Sequence, residues 1–343
     1  MKAIYDYNLT ELTEAFLSLN EKKFRAMQVF DWLYVKFAKD FNEMTNLNKD
    51  LQAKLQESFV IDFLKVKKKQ VSKDGTTKYL FELMDGHLIE TVLMRMEYGN
   101  SVCVTSQVGC NMGCSFCASG LLKKQRNLTS GEMVAQIMHV QFDLLEERER
   151  VSHVVVMGTG EPFDNYEEVT KFIQTINEPK GLAIGARHIT VSTCGLCDKI
   201  EAYGDLGLQA NLAISLHAPN DEIRNQLMPI NKKYPMDTLR QSIKRYSEKT
   251  NRRITFEYIL LKDVNDSLVC ARQLAHYVKG LNAYVNLIPY NSVDEHGYQS
   301  ASKETIEAFY NELARLKVRA TIRREHGADI DGACGQLRAK FQR

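Results

Sequence analysis

The stretch Cys110-Asn-Met-Gly-Cys114-Ser-Phe-Cys117 places three thiols in a C-x3-C-x2-C pattern, with an aromatic residue directly before the third thiol. Gly109 and Gly120 bracket this loop, so its backbone can stay close to a bound centre. A structural zinc site normally has four protein ligands, and no histidine lies within twenty residues of the loop. An iron–sulphur cluster held by only three thiolates keeps one iron free to bind another molecule. The spacing therefore favours a reactive cluster over a structural site.

Length and composition bound the class of protein. With 343 residues, of which 44% are hydrophobic, the chain can bury the core of one large domain or of two. Its apolar runs are short and interrupted by charges, and the N-terminal stretch MKAIYDYNLTELTEAF lacks the basic start and apolar core of a signal peptide. We therefore expect a folded cytoplasmic protein without a membrane segment.

Cysteines and charges say less about the partners. Eight cysteines, three of them in one loop, do not form the pattern of a disulfide framework, so a reducing compartment fits them best. A net charge of +2 is too small to indicate a nucleic-acid binder. Two local basic blocks, Lys65-Val-Lys-Lys-Lys69 and Arg323-Arg324, are typical of solvated surface. Charge alone therefore leaves the partner open.

Residues 1–60 are predicted to form a small helical module, because apolar residues recur there at helical spacing. The three runs are Leu9, Leu12, Phe16 and Leu19; Phe30, Leu33 and Phe37; and Leu47, Leu51 and Leu55. Residues 61–100 change to short alternating strands, with Asp74-Gly75 and Asp85-Gly86 as hairpin turns. We predict that this part is an antiparallel extension leading into the main domain.

From residue 101 to 325, apolar strand-like runs alternate with amphipathic helices, which is typical of parallel β–α units. Thr129-Ser-Gly-Glu132 has the spacing of a capping box and predicts a helix through about Leu145. The pattern predicts an α/β fold with a partial (β/α)6 barrel. The predicted strands are 102–106, 153–157, 188–193, 211–215, 255–260, 284–288 and a short last one at 319–323.

Parallel barrel strands gather functional groups at their carboxyl ends, and polar residues of this chain fall there. Gly158-Thr-Gly160-Glu161-Pro162 combines glycines, which allow close backbone approach, with a carboxylate that can receive an ammonium group. Residues suited to hydrogen bonds with a ribose, a carboxylate or an adenine edge follow other strands. They are Ser192, the segment Ser215-Leu216-His217, and Asn291. Each alone is typical of a turn, so their common placement is what indicates a site.

Further cysteines lie outside the loop. Cys334, between Ala333 and Gly335 in a C-terminal loop at residues 326–343, has small neighbours that suit an accessible nucleophile. Cys103, on the first barrel strand, is in isolation typical of a core thiol. Cys194-x2-Cys197 has the spacing of a redox pair, but incidental packing is the simpler interpretation.

The cysteine loop resembles the signature of the radical S-adenosylmethionine enzymes, and several further segments resemble one family among them, the RlmN/Cfr family of RNA methyltransferases. The resemblance implies a radical S-adenosylmethionine barrel over residues 101–325 and a role in RNA binding for the helical domain. The segments that carry it are Glu90-Thr-Val, Ser106-Gln-Val-Gly-Cys110, Met157-Gly-Thr-Gly-Glu-Pro162, Ser215-Leu-His-Ala-Pro-Asn220, Leu227-Met-Pro-Ile-Asn231, Val285-Asn-Leu-Ile-Pro-Tyr-Asn291 and Asp329-Ile-Asp-Gly-Ala-Cys-Gly-Gln-Leu337.

The resemblance implies one 4Fe-4S cluster and two molecules of S-adenosylmethionine per turnover. In this family one S-adenosylmethionine methylates the thiol that matches Cys334, and a second is split at the cluster to a radical. That radical takes hydrogen from the methylated thiol, and the carbon then adds to adenine. The implied metal ligands are Cys110, Cys114 and Cys117, and the implied cofactor-binding residues are Gly160, Glu161, Ser192, Ser215, Leu216, His217 and Asn291.

Two more catalytic roles follow from the resemblance. Cys103 corresponds to the thiol that resolves the protein–RNA link and ends in a transient disulfide with Cys334. Glu90 corresponds to the carboxylate that the family assigns as proton acceptor. Whether Glu90 or Cys103 removes the proton from the adenine carbon stays open.

The function implied is methylation of adenine C2 in 23S rRNA at the peptidyl-transferase centre, and of the adenosine beside the anticodon in tRNA. The implied partners are these RNAs and an electron-donor protein such as flavodoxin, and we expect a monomer. C8 methylation of the rRNA adenosine, which confers antibiotic resistance, is the nearest alternative; the segments 289–291 and 323–331 favour C2. An alternative of another class is a non-catalytic RNA-binding protein with a structural zinc.

Overall fold

The structure is a computed structural model that describes residues 2–61, 64–121, 123–291, 296–324, 326–327 and 329–330. Its N-terminal module has three helices between two short strands. In chain order these are β1 (Lys2–Ala3), α1 (Leu9–Ser18), α2 (Lys23–Tyr34), α3 (Lys49–Ser58) and β2 (Phe59–Val60). The predicted helical spacing is confirmed where its residues are buried on these helices, whereas Leu19, Phe37 and Leu47 lie just outside them. The buried ones are Leu12 and Phe16 on α1, Phe30 and Leu33 on α2, and Leu51 and Leu55 on α3.

The antiparallel extension is confirmed as β3 (Lys65–Val71), β4 (Thr77–Glu82) and β5 (Leu88–Met96). Gly75 and Gly86 lie in its two turns with φ of +81° and +82°, which glycine adopts without strain. Strands and helices then alternate as predicted. They are β6 (Gly99–Cys103), β7 (Gln107–Val108), β8 (Arg126–Asn127), α4 (Ser130–Glu146), β9 (Val151–Val156), α5 (Tyr166–Asn177), β10 (Ile189–Thr193), α6 (Cys197–Asp205), β11 (Asn211–Ser215), α7 (Asp221–Leu227), α8 (Met236–Thr250), β12 (Ile254–Leu260), α9 (Leu268–Val278), β13 (Ala283–Pro289), α10 (Lys303–Arg315) and β14 (Ala320–Ile322).

One ten-stranded sheet joins the extension to the barrel in the order β14-β13-β12-β11-β10-β9-β6-β5-β4-β3. Strands β6 and β9 to β14 pair in parallel with one another, whereas β3, β4, β5 and β6 pair antiparallel in that order. The predicted α/β partial barrel is thus confirmed. Only the first barrel strand is displaced from its predicted position, because a tight turn at Glu97-Tyr98 already starts it at Gly99, opposite Met96.

Side chains along the sheet alternate between two faces. One face packs under the helices and is apolar: Val102, Val154, Val191 and Leu212 are all buried in the main hydrophobic core. The other face is the lumen of the partial barrel, and it carries polar groups. Its register places Cys103, Ser192, Ser215 and Glu257 on this side. The alternation therefore separates a stabilising face from a chemical one.

The N-terminal module packs against the start of α4. The Asp6 carboxylate accepts a hydrogen bond of 2.9 Å from the amide of Gly131, in the first turn of the helix. The predicted capping box is confirmed, since the Thr129 side chain and the Glu132 side chain satisfy each other's backbone amides. In the described part of the chain, no helix is long and apolar enough to cross a membrane.

Candidate active site

A cavity of about 200 Å³ lies at the carboxyl ends of the central parallel strands. It collects residues that the sequence placed at separate strand ends. A larger opening of about 780 Å³ lies among the α9–β13 and α10–β14 connections, but it contains none of these residues, so the chemistry points to the smaller cavity. The predicted residues that line it are Cys110, Cys114, Cys117, Gly160, Glu161, Ser192, Ser215 and His217.

The cysteine loop is held at both flanks by hydrogen bonds to neighbouring segments. The amide of Ser115 donates to the carbonyl of Leu227 at 3.0 Å, and the Tyr290 hydroxyl donates to the carbonyl of Phe116 at 3.2 Å. Gly113 has a φ of +68°, so glycine suits the turn between the first two thiols. These contacts fix the loop backbone while the thiols face the cavity.

The three thiols fit an iron–sulphur cluster. Burial raises the pKa of Cys110 to about 11 and raises the pKa of Cys114 further, and the neighbouring thiols act in the same direction. A metal centre offsets such a cost, because it binds the thiolates and compensates their charge. A cluster takes each thiolate on a different iron, which suits thiols spread along one wall. Within the described residues, no three His, Cys, Asp or Glu side chains converge closely enough for a single ion.

Glu161 is a buried carboxylate at the end of β9. It accepts hydrogen bonds from the amides of Cys194 at 2.8 Å and Phe163 at 3.0 Å. Burial raises its pKa, although these hydrogen bonds act in the opposite direction. A cationic ligand would offset the cost of burying this charge, which fits the amino group of S-adenosylmethionine.

Gly160 cannot be replaced without strain. Its φ is +113°, and a Cβ atom there would lie 2.6 Å from the Cβ of Gln107. The side chain of that glutamine accepts a hydrogen bond of 2.9 Å from the amide of Glu161. The glycine thus lets the loop approach Gln107 closely enough to orient the carboxylate.

The lumen face continues the polar lining across four strands. The hydroxyls of Ser192 and Ser215 are 3.1 Å apart, and Ser215 lies opposite Glu257 in the sheet. Burial raises the pKa of Glu257, while the Asn286 amide donates to its carboxylate at 3.0 Å and the charge of Arg323 also lowers the pKa. Glu257 and Arg323 line the cavity. Glu257 was not predicted from the sequence, and the interpretation of Arg323 as solvated surface is wrong, because its position directly after β14 places it at this cavity. A carboxylate within the apolar stretch Ile254-Thr-Phe-Glu-Tyr-Ile-Leu260 is a signal that could have revealed Glu257.

His217 is held as a neutral imidazole. Burial lowers its pKa to about 3, and the charge of Arg224 adds to that effect. Its Nδ1 accepts a hydrogen bond of 3.1 Å from the amide of Ile259, which assigns the proton to Nε2. Its ring meets Phe116 of the cysteine loop edge to face at 5.0 Å.

Two predicted cofactor residues differ from the rest. Leu216 is fully buried and is not part of the cavity wall, so only its backbone acts at the site. Its carbonyl accepts a hydrogen bond of 3.3 Å from Arg224. Asn291 lies just beyond β13, is exposed, and is not among the described residues that line the cavity.

Arg224 supports the cavity from behind and was missed by the sequence analysis. Its guanidinium is fully buried and donates to the carbonyl of Cys194 at 2.7 Å and to the Asn231 side chain at 2.8 Å. These bonds tie the loops after β10 and β11 to the segment 227–231. Arginine suits this position because it offers several donors in a fixed plane.

Cys194 and Cys197 are both free, buried thiols. Burial raises the pKa of both, that of Cys197 to about 11. The Cys197 thiol lies 3.6 Å from the carbonyl of Gly195. A redox thiol needs an exposed site that favours the thiolate, so this environment supports the packing interpretation.

A second polar group lies further along the lumen face, in the antiparallel part. The Glu90 carboxylate is 3.0 Å from the Lys78 ammonium, and these side chains are 4% and 0% exposed. Cys103 lies opposite Val92 on the adjacent strand, two residues from Glu90 and on the same face. Lys78 was not predicted from the sequence. Cys334, the third predicted catalytic residue, lies outside the described residues.

Two separate regions of the chain match known protein families. Residues 3–61 match the family described as the ribosomal RNA large subunit methyltransferase N-terminal domain. Residues 104–270 match the radical SAM superfamily. Both regions had been singled out from the sequence, as the helical module and as the barrel.

Full-length relatives and a solved structure agree with these matches. A Spiroplasma citri protein named "Probable dual-specificity RNA methyltransferase RlmN" is 57% identical over 340 residues, which covers 99% of this chain and 98% of that protein. An Enterococcus faecalis protein of the same name is 58% identical over 344 residues, covering 99% and 96%. The crystal structure of a radical SAM methyltransferase from Sphaerobacter thermophilus, 42% identical, superposes with a TM-score of 0.95 and covers 98% of this chain and 99% of that one. With such identity and coverage, the chain belongs to the RlmN family of radical S-adenosylmethionine RNA methyltransferases.

Proposed function

We propose that this chain methylates C2 of adenosine in 23S rRNA at the peptidyl-transferase centre, and of the adenosine beside the anticodon in tRNA, through an S-methylcysteine at Cys334. One observation carries the proposal. A single lumen holds a thiol-lined cavity with a buried carboxylate and, further along, the buried Lys78–Glu90 pair beside Cys103. The words "dual-specificity" in the relatives' names support two RNA substrates.

The cavity is the part of the lumen that we assign to binding of the cluster and S-adenosylmethionine. Cys110, Cys114 and Cys117 hold the cluster, and Glu161 receives the ammonium group of S-adenosylmethionine. When bound, the cluster would supply the electron that cleaves S-adenosylmethionine, and this cleavage would produce a species able to remove a hydrogen atom. The serine hydroxyls of Ser192 and Ser215 and the neutral imidazole of His217 offer hydrogen bonds to the remaining polar groups.

The RNA end is assigned to the antiparallel part. Adenine C2 is electron-poor and cannot attack a sulphonium methyl group as a nucleophile, so the methyl carbon reaches it through Cys334 and a radical route. Glu90 is the candidate acceptor for the proton that the adenine carbon loses. The radical adduct would give up one electron to the bound cluster together with this proton. The Cys103 thiolate then attacks the sulphur of Cys334, the bond from that sulphur to the methylene carbon breaks, and the carbon takes up a proton to become the methyl group, which leaves the two cysteines as a disulfide. The lumen position of Cys103, one strand from Glu90, supports this pairing of roles.

The N-terminal module is assigned to RNA binding. Its match to the family's N-terminal domain supports this role. The hydrogen bond from Gly131 to Asp6 joins the module to the start of α4, so RNA bound by the module would be held next to the barrel.

The test is nucleoside mass spectrometry, with authentic standards, of rRNA and tRNA from cells that lack their own methylase. The cells express this protein or its Cys334→Ala variant. We expect 2-methyladenosine in both RNAs with the intact protein and none with the variant. Appearance of 8-methyladenosine would move the enzyme to the antibiotic-resistance branch. Absence of both methyladenosines would favour the zinc-containing RNA-binding protein. Iron and sulphide analysis of anaerobically purified protein separates that last alternative, which predicts zinc instead.

A further inference from the structure

The turn between β3 and β4 holds the chain segment that leads to Cys334. Asp74 in this turn accepts a hydrogen bond of 2.9 Å from the amide of Gly327, and His326 lies 3.7 Å from the same carboxylate. A Cβ atom at Gly327 would lie 3.3 Å from the Thr76 side chain, so the two backbones are closely packed. Two segments separated by some 250 residues in the sequence thus meet at one carboxylate.

A second carboxylate completes the contact from the opposite side. Asp329 accepts hydrogen bonds from the hydroxyl of Ser72 and, at 3.1 Å, from the amide of Lys73. Asp74 of the turn therefore binds the C-terminal segment, and Asp329 of that segment binds the turn. We call these reciprocal contacts of residues 72–76 with His326, Gly327 and Asp329 the aspartate clamp.

Both carboxylates are suited to remain charged. Slight burial alone would raise the pKa of Asp74, but hydrogen bonds from the amides of Gly327 and Thr76 outweigh it and hold that pKa far below its ordinary value. The hydrogen bond from Ser72, followed by that from Lys73, lowers the pKa of Asp329. Charged acceptors make stronger hydrogen bonds than neutral ones, so the clamp is firm at neutral pH.

The clamp shortens the sequence interval between the last anchored residue and Cys334. Upstream, Arg323 is fixed to the sheet because its amide donates to the carbonyl of Leu287 at 2.8 Å. Cys334 follows Arg323 by eleven residues but follows Asp329 by only five. Five residues reach at most about 18 Å, whereas eleven reach about 40 Å. The anchor thus limits the region that the thiol can occupy, and the clamp lies two residues before Lys78, at the start of the strand that carries this partner of Glu90.

We propose that Asp74 and Asp329 are positioning residues, which anchor the C-terminal segment so that the methyl-carrying thiol of Cys334 is concentrated near the RNA end of the lumen. This inference rests on the role proposed above for Cys334. The local concentration of a tethered group falls roughly as the −3/2 power of the tether length. Lengthening the interval between the anchor and the thiol from five to eleven residues therefore lowers it about threefold.

The chain offers a matched control. Asp85-Gly86 forms the other hairpin turn of the extension, with the same glycine conformation as Asp74-Gly75. The Asp85 carboxylate binds Arg126 and the amide of His87 instead of the C-terminal segment. Replacing Asp85 removes a turn aspartate of the same kind and leaves the clamp in place.

The experiment compares the full-length holoenzyme with Asp74→Ala/Asp329→Ala and Asp85→Ala. Hydrogen exchange, read by mass spectrometry, reports whether the amides of Lys73 and Gly327 lose protection. Single-turnover reactions of enzyme already methylated on Cys334 give the transfer rate to an RNA hairpin, and titration gives the hairpin's dissociation constant. We expect the double variant alone to lose protection and to transfer the methyl carbon about threefold more slowly, with unchanged RNA affinity.

Two failures are distinguishable. If the double variant loses amide protection but transfers at the wild-type rate, the positioning role is wrong. If Cys334→Ala methylates the hairpin as fast as the intact enzyme, the methyl-carrier role fails, and with it the proposed function. An equal slowing of Asp85→Ala would reduce the effect to general destabilisation of the extension and would also overturn the inference.

Discussion

The Lys78–Glu90 pair gives the sharpest prediction, because it places two opposite charges where water does not reach them. The ammonium and carboxylate are 3.0 Å apart, with side-chain exposures of 0% and 4%. At an effective dielectric constant of about 20, unit charges at that distance attract by roughly 5.5 kcal/mol. Most of this gain offsets the cost of removing both charges from water. Intact, the pair adds little net stability, but losing one partner takes a counter-charge at 3.0 Å away from the other buried charge.

Lys78→Met keeps the length of the side chain and removes its charge. We expect it to lower the free energy of unfolding by about 3–5 kcal/mol. Glu90→Gln should lower the free energy of unfolding by a similar amount, since it removes the carboxylate charge that faces the Lys78 ammonium. The double variant Lys78→Met/Glu90→Gln should recover most of the loss, because it buries no unpaired charge. Urea denaturation of the anaerobic proteins, followed by circular dichroism, measures the three differences.

Lys69→Met is the matched control. Lys69 pairs with Asp143 at 2.7 Å, but these side chains are 44% and 37% exposed, so the loss should stay below about 1 kcal/mol. If Lys78→Met costs no more than Lys69→Met, or if the double variant is as unstable as the sum of the singles, the argument from a desolvated pair is refuted.

Four further predictions follow from single positions. Gly160→Ala should destabilise the fold by about 1–3 kcal/mol in thermal denaturation and weaken S-adenosylmethionine binding, because alanine is strained at a φ of +113°; unchanged stability would contradict this. Cys103→Ala should accumulate a covalent protein–RNA species on denaturing gels, and normal turnover without that species would exclude its resolving role. Lys68→Gln should reduce the slope of log RNA affinity against log salt concentration by about one unit, and Lys69→Gln should not change it. The reason is that Lys68 lies opposite Leu80 on the lumen face, whereas Lys69 is paired with Asp143 on the other face. Equal slopes for the two variants would show that the strand lies outside the RNA contact. Because hydrogen bonds depress the pKa of Asp74, the clamp should contribute fully above the ordinary aspartate pKa of about 3.9 and be lost progressively as the pH falls towards the lower folded value. Exchange of the Gly327 amide, corrected for the intrinsic rate at each pH, should therefore show unchanged protection from pH 7 to 4 and a loss only below that; a loss between pH 7 and 5 would contradict this.

The barrel was predictable because two simple rules agree on it. Apolar runs separated by helices predict parallel strands, and parallel strands predict a site at their carboxyl ends. Gly160, Glu161, Ser192, Ser215 and His217 accordingly meet in one cavity, although up to 57 residues separate them in the chain. Asn291 and Leu216 show the limit of the rule. A strand end specifies a neighbourhood, but the next residue's backbone angles decide whether its side chain enters the cavity.

The lumen partners were not predictable, because they depend on register between strands. In the sequence, Lys78 looks like the polar residue of a half-exposed strand, and nothing nearby indicates a partner twelve residues away. Only the pairing of Leu80 with Glu90 and of Lys78 with Val92 brings the two charges diagonally together on one face. Arg224 was missed for a similar reason, since its three acceptors come from three separate loops.

The antiparallel extension gives the enzyme something that a parallel barrel alone lacks. In parallel β–α units the functional groups lie in the loops at one end, which suits a cofactor that enters from solvent. Glu90 lies instead within a strand, as the third of the nine residues of β5, where the strands on both sides bury it. Strand β6 belongs to both systems, since it pairs antiparallel with β5 and parallel with β9. It carries Cys103 at its end and leads within seven residues to Cys110. One strand therefore connects the thiol proposed for the RNA chemistry to the thiols proposed for the cluster, and a shift of β6 against either neighbour should impair both.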